Sequence, residues 1–272
     1  GGSNSGPKDE HGRAASTGEP RSPMRDAGGG VAAAISTRTH LTVLDGILGN
    51  CDRSSRMAAS LRVLIDRASP RIVLGSKSHA RRQILDEIAA EHGFTYTVQT
   101  ADIDEKAIRY DDPQELVTAL AKAKAAALRA RGGGDAGGGG PTLLITGDQV
   151  VVHEGLIREK PESEEEARQF IAGYSRSPPR TVGSVVVTNL STGYSCLGVD
   201  TAEMYFHPIP EEVVSSLLEE GTVYQCAGGL MIEHPLVSPL VESVMGTMDS
   251  IMGLPKALVE RLLVEALEEH LG

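Results

Sequence analysis

Apolar and polar positions along this chain change period several times, and each change marks an element. Ile72–Leu74 is a short run of mostly β-branched residues, closed by Gly75-Ser76-Lys77-Ser78. Beyond it Ile84, Leu85, Ile88 and Ala89 recur at helical spacing. Phe94–Val98 alternates as a strand. Asp112-Pro113-Gln114-Glu115 predicts a helix start: an acid to cap, proline at the first helical position, and a second acid three residues on. That helix runs to about Arg129, where a glycine-rich stretch breaks it. Thr142–Val152 is the most apolar strand, interrupted by Gly147-Asp148. A third helix is expected from Pro161, with Ser163 and Glu166 as its capping box. Strands follow around Val182–Thr188 and Gly198–Phe206, with turn residues Ser191-Thr192-Gly193 between them. Val213, Val214, Leu217 and Leu218 mark a helix that Gly221 ends, and a last helix opens at Pro255 with Leu258, Leu262 and Leu263. Strands interleaved with helices, some strands adjacent in sequence, predict an α/β fold: a mixed β-sheet flanked by helices.

The chain divides unevenly. Residues 1–30 are rich in glycine and proline and almost free of apolar side chains, so they cannot offset the entropy of ordering and are expected to be disordered. Residues 31–69 carry scattered apolar positions without a clear partner pattern. We therefore expect a low-complexity extension over 1–69 and a folded domain over 70–270. A flexible glycine-rich insert falls at 131–141; it precedes a strand, so it is not a phosphate cradle.

Charge and composition narrow the function classes. The 26 basic and 37 acidic residues give a net charge of −11, which argues against binding duplex nucleic acid or an anionic membrane. A small polyanion stays compatible if the few cations are gathered in one place. Cys51, Cys196 and Cys226 include no Cys-x-x-Cys pair, so a disulfide scaffold and a four-cysteine zinc site are excluded, and a reducing compartment is expected. No two histidines stand four apart, and no apolar run reaches the ~18 residues of a membrane span. These features predict a soluble, cytoplasmic protein. Import into an organelle through the N-terminal extension is the sharper reading, against which Asp9, Glu10, Glu19 and Asp26 speak.

Helical angles single out two cations. Taking Ile84 as zero, Arg81 falls at about 60°, inside the apolar sector, while Arg82 lies at its edge near 160°. Such an arginine either snorkels past the helix end or points into a site. On the second helix, with Leu116 at zero, Lys124 falls at about 80° near the centre of the apolar stripe, and Lys122 on the polar side at about 240°. Either the Lys124 stem covers core while its amine escapes, or the amine meets an anion. Asp148 poses the opposite question, being an acid inside an apolar strand. It is a turn or bulge residue, or a buried base or metal ligand. Asp102-Ile103-Asp104-Glu105 supplies further carboxylates, read as a solvated loop or as part of a site. Glu159-Lys160-Pro161 adds another cation before a helix.

Taken together, Gly75–Leu85 (GSKSHARRQIL), Asp102–Glu105, Leu120–Ala125 (LAKAKA), Thr146–Val152 (TGDQVVV), Glu159-Lys160-Pro161, Ala227-Gly228 and Met252–Pro255 (MGLP) occur in an order that resembles the Maf-like (septum-formation-inhibitor-like) nucleotide pyrophosphatases. The resemblance covers about residues 71–268. It implies an elongated two-lobed Maf/ITPase-like α/β fold with a central nucleotide cleft, and a homodimer. It also implies hydrolysis of a nucleoside triphosphate to monophosphate and pyrophosphate with Mg²⁺ or Mn²⁺, a house-cleaning role. Position by position, the family's catalytic acid falls on Asp148 and its acidic loop residue on Glu105, the pair implied to hold the metal. Its anion-binding residues fall on Ser76, Arg81, Lys124 and Lys160. The chain departs from the family pattern at Ala80, where an arginine is usual, at Gln149, where threonine is usual, and at Glu233, where glutamine is usual. Gln149, Cys226 and Glu233 together resemble the branch acting on 7-methyl-GTP. A carboxylate at 233 can accept from the guanine N1–H and amino edge and favours a base made cationic by N7 methylation. The alternatives are a dTTP/UTP pyrophosphatase of the same family, and a catalytically impaired nucleotide-binding regulator acting through a partner, which Ala80 motivates.

Overall fold

The computed structural model describes residues 60–132 and 139–272. The expectations for residues 1–59 and for the centre of the glycine-rich insert lie outside the described residues.

Among the described residues, seven strands form one mixed sheet: β1 (Arg71–Leu74), β2 (Tyr96–Val98), β3 (Thr142–His153), β4 (Leu156–Arg158), β5 (Arg180–Asn189), β6 (Ser195–Phe206) and β7 (Val241–Met245). Their order is β2-β1-β3-β5-β6-β7, with β4 also on β3. β1 runs parallel to β2 and β3, and every other pairing is antiparallel. The helices are α1 (residues 60–68), α2 (His79–His92), α3 (Pro113–Ala130), α4 (Glu164–Tyr174), α5 (Glu211–Glu220), α6 (Met248–Met252) and α7 (Lys256–Leu271). None is long and apolar enough to cross a membrane.

Local signals set most of the boundaries. The Asp112 side chain caps α3 through the N–H groups of Gln114 and Glu115, with Pro113 at its first position. Ser163 accepts from the Glu166 N–H to open α4, so that helix begins at Glu164 rather than Pro161. Gly221 ends α5 at φ +72°.

One boundary is corrected. Residues 60–68, expected to belong to the low-complexity extension, are helical, and Leu61, Leu64, Ile65 and Ala68 are buried with α2 and α7. Their spacing is itself helical, but it lasts only nine residues at the end of a patternless stretch.

Packing on the two faces of the sheet differs. Leu144, Val150 and Val152 of β3 face α3 and pack with Leu116, Val117, Leu120 and Leu128. On the opposite face two separate cores lie at the two ends of the long strands. One joins Leu143, Ile145 and Val187 to α1, α2 and α7; the other joins Met204 and Phe206 to α4 and α5. The two lobes expected of the fold are these two cores. Between them runs a cross-strand row of Gln149, Gly183 and Asp200.

Candidate active site

The site begins with a gap in hydrogen bonding. β1 accompanies β3 only as far as Ile145, whose carbonyl accepts from the Gly75 N–H at 2.7 Å, and β4 rejoins the same edge at Val151. Between them this edge of β3 has no strand partner, although β5 pairs the other edge without a break from Leu143 to Val152. Gly147-Asp148 is therefore continuous strand, neither turn nor bulge. Alternation sends Thr146 and Asp148 to the α3 face and Gln149 to the other.

α3 is pinned over this stretch by two buried hydroxyls. Thr146 donates to the Ala121 carbonyl at 3.0 Å, and Ser184 to the Val117 carbonyl at 2.7 Å. That registration drops Lys124 onto Asp148, with Nζ 2.5 Å from Oδ1. The same amine lies 3.0 Å from Glu105 Oε1. Both Lys124 and Asp148 side chains are only 12 % exposed, while Lys122 and Arg82 lie in solvent, as their helical angles predict. Glu105 opens a short 3-10 turn, Glu105–Ala107, capped by the Asp104 side chain.

Arg81 reaches the gap from the opposite face. Its Nη1 donates to the Gly147 carbonyl at 2.8 Å and its Nε to the Gly253 carbonyl at 2.9 Å. Burial lowers the guanidinium's pKa from its ordinary value, and the fields of Asp148 and Glu105 oppose that shift. Arg81 therefore neither snorkels outward nor stands alone. Ser76 sits in the turn before α2, where its Oγ accepts from the Ser78 N–H at 3.2 Å and Ser78 caps the helix.

Lys160 and Glu233 form a second group. Both are exposed, neither has an ion pair among the described residues, and both act electrostatically on the Cys226 thiol. Burial pushes that thiol up to about 12, with Glu233 adding to the shift and Lys160 opposing it. The turn beyond Cys226 sits tightly against the sheet. The Gly228 N–H donates to the Glu159 carbonyl at 2.9 Å, and a Cβ on Gly228, at φ +73°, would meet Tyr174 Oη at 2.8 Å. Two ion pairs join the groups across the gap, Lys106 to Glu162 at 2.5 Å and Arg109 to Glu159 at 3.3 Å.

The structure thus brings Arg81, Lys124, Glu105 and Asp148 together, places Ser76 at the adjoining turn, and puts Lys160 and Glu233 in a neighbouring cluster. Sequence reasoning missed the Gly147 and Gly253 carbonyls that hold Arg81. The MGLP motif pointed to the second of them, without showing what it touches.

Only carboxylates that converge suit a divalent cation. Glu105 and Asp148 do, since both reach one ammonium, and their hard oxygens are the donors that Mg²⁺ or Mn²⁺ takes. Among the described residues one three-residue cluster of metal-ligand types, Glu91, His92 and Glu260, lies apart from this site at the α2–α7 contact.

Comparison with known proteins agrees with this architecture. A sequence model described as Maf-like protein matches residues 71–266. A 7-methyl-GTP pyrophosphatase of Dictyostelium discoideum is 38% identical over 193 residues, 71% of this chain and 95% of the relative. A 7-methyl-GTP pyrophosphatase of Idiomarina loihiensis is 31% identical over 70% of this chain and 92% of its own. A dTTP/UTP pyrophosphatase of Chlamydia trachomatis serovar D is 29% identical over 72% of this chain and 93% of its own. The matched region spans β1 through most of α7 and holds every residue of the gap in β3, so this chain belongs to the Maf-like protein family.

Proposed function

We propose that this chain is a nucleoside triphosphate pyrophosphatase with a preference for 7-methyl-GTP-like nucleotides, releasing the monophosphate and pyrophosphate in a house-cleaning role. The observation that carries the reading is the Asp148–Lys124–Glu105 contact beside Arg81, where β3 has no strand neighbour. A carboxylate held beside two cations, at an opening between two cores, suits hydrolysis of a polyanion.

Each side chain has a separate task. Arg81 and Lys124 bear the triphosphate charge, with Ser76 and the N-terminal turn of α2 adding donors. In the free protein the Lys124 ammonium pairs with both carboxylates. An incoming triphosphate competes for that amine and loosens Asp148 to act. Asp148 Oδ accepts the proton of the attacking water as it approaches the α-phosphorus, and pyrophosphate leaves. Glu105 and Asp148 would hold the divalent cation, which supplies positive charge at the phosphate oxygens when bound. Lys160 adds a further cation for the triphosphate, as the family resemblance implies, and Glu233 serves the base. Glu233, exposed and free of an ion pair among the described residues, offers its oxygens to the N1–H and amino edge of a cationic guanine.

The similarity to the Dictyostelium discoideum protein supports the 7-methyl-GTP preference over the dTTP/UTP alternative. The family resemblance also brings a homodimer into the reading, which sedimentation tests. The free thiols of Cys196 and Cys226 support a cytoplasmic setting.

The test of the activity is pyrophosphate release from 7-methyl-GTP, GTP, dTTP and UTP with Mg²⁺ or Mn²⁺. Turnover fastest with 7-methyl-GTP is expected. Tight binding of all four without pyrophosphate release would make the protein a binder instead.

A further inference from the structure

We infer that Gln149 and the turn at Gly253 are positioning residues for Arg81, holding its guanidinium plane toward the substrate phosphates; the inference rests on the pyrophosphatase reading of the site. Gln149 follows Asp148, but alternation points it to the other face of β3, away from the carboxylate. There it lies over Gly183, its partner on β5. Its Nε2 donates to the Ile251 carbonyl at 2.8 Å and lies 3.4 Å from the Ser250 carbonyl. These belong to α6, a helix so short that its last carbonyls depend on partners from outside.

The next link is Gly253, which caps α6 at φ +98°. Its carbonyl takes the Arg81 Nε–H. A side chain there would be strained at this φ and would displace its neighbours: a Cβ would lie 2.4 Å from Gln149 Oε1 and 3.2 Å from Arg81 Nε. Gln149 and Arg81 thus both border Gly253, one through the carbonyls of the turn before it and the other through its own carbonyl, so one glutamine amide helps set where the acceptor for the arginine stands.

The consequence for Arg81 follows from its planarity. Nε is fixed by Gly253 and Nη1 by Gly147, from two strands of chain far apart in sequence. Two anchors on a rigid fork fix its plane and leave the Nη2 hydrogens, which have no hydrogen-bond partner among the described residues, for an anion. A threonine at 149 is too short to reach Ile251, so a chain with threonine there must hold this turn in some other way. The Gln149 identity that resembles the 7-methyl-GTP branch therefore acts on phosphate alignment, not on the base.

A double-mutant cycle between Gln149→Met and Arg81→Lys tests this. Methionine keeps the length of the side chain and removes its donor. Gln149→Met alone is expected to lower kcat/KM for the preferred triphosphate about five- to fiftyfold, mainly through KM. In the Arg81→Lys background the same change should cost less than about twofold. A second readout does not depend on turnover. The Arg81 Nε–H, followed by ¹⁵N NMR, should be protected from solvent exchange in the wild type and lose protection in Gln149→Met. Should methionine compromise folding, Gln149→Asn, which keeps an amide one methylene short of Ile251, is expected to give the same pattern. Losses that multiply in the double variant, or an Nε–H equally protected in all, would overturn the inference while leaving the enzyme reading intact. If the wild type turns over no triphosphate, the enzyme reading fails, and Nε–H protection still decides whether Gln149 holds Arg81.

Discussion

Lys124 meets Asp148 at 2.5 Å, a contact made by one cation from the middle of an apolar helix stripe and one acid from the middle of an apolar strand. Each is a defect in its own element, and each neutralises the other. With both side chains nearly out of solvent, each charge needs a partner, and Glu105 gives Lys124 a second one.

Asp148→Asn is the most direct probe. It preserves volume and leaves Lys124 its hydrogen-bond acceptor, so the fold and nucleotide binding should persist. Pyrophosphate release should fall by about 10²- to 10⁴-fold, the usual contribution of a positioned general base. A variant that releases pyrophosphate at the wild-type rate removes Asp148 from the reaction.

Thr146→Val tests whether α3 must be pinned for Lys124 to reach its mark. The hydroxyl bonded to the Ala121 carbonyl is buried, so the loss should cost about 1 kcal/mol in equilibrium unfolding. A rise in KM for the triphosphate should accompany it, because Ala121 lies less than one helical turn before Lys124. A stability loss with unchanged KM would show that α3 holds its register without this bond.

Glu233→Gln addresses the base. The amide can turn to suit thymine or uracil and no longer favours a cationic ring. Selectivity, read as the ratio of kcat/KM for 7-methyl-GTP over dTTP, should drop by about tenfold or more. An unchanged ratio would place base recognition elsewhere.

Divalent metal removal is expected to abolish turnover, with Mg²⁺ or Mn²⁺ restoring it. Glu105→Gln, losing one charged ligand, should raise the metal concentration for half-maximal rate about tenfold. Full activity in excess EDTA would exclude a metal role for the Glu105–Asp148 pair.

Alkaline stability should depend on Cys226. Its thiol is raised in the folded protein from an ordinary 9.0 to about 12, chiefly by burial. Above pH 9 the unfolded chain gives up this proton while the folded chain keeps it. The thiol's contribution is therefore fully present below about pH 9 and is lost as the pH climbs toward 12. Cys226→Ala should flatten the fall of melting temperature over that interval, and an unchanged slope would contradict the buried-thiol account.

Several elements were legible because their causes are local. The Asp112-Pro113 start of α3, the Ser163 cap of α4 and the Gly221 end of α5 each rest on side chains within a few residues of the backbone groups they satisfy. β4 and β7 are too short to carry a period of their own, and pairing with β3 and β6 makes them regular; α6 is five residues long and lies between the local caps Thr247 and Gly253.

By itself the sequence determined which charges are out of place. Helical angle put Arg81 and Lys124 on buried faces, and strand context put Asp148 among valines and leucines, because periodicity is fixed by backbone geometry alone. Only the tertiary structure decided what those charges meet. The Gly147 carbonyl is free to hold Arg81 because β1 and β4 leave part of β3 unpaired, and Gly253 arrives from 172 residues away. No local pattern encodes an unfilled sheet edge, since it exists only once three separate strands have docked.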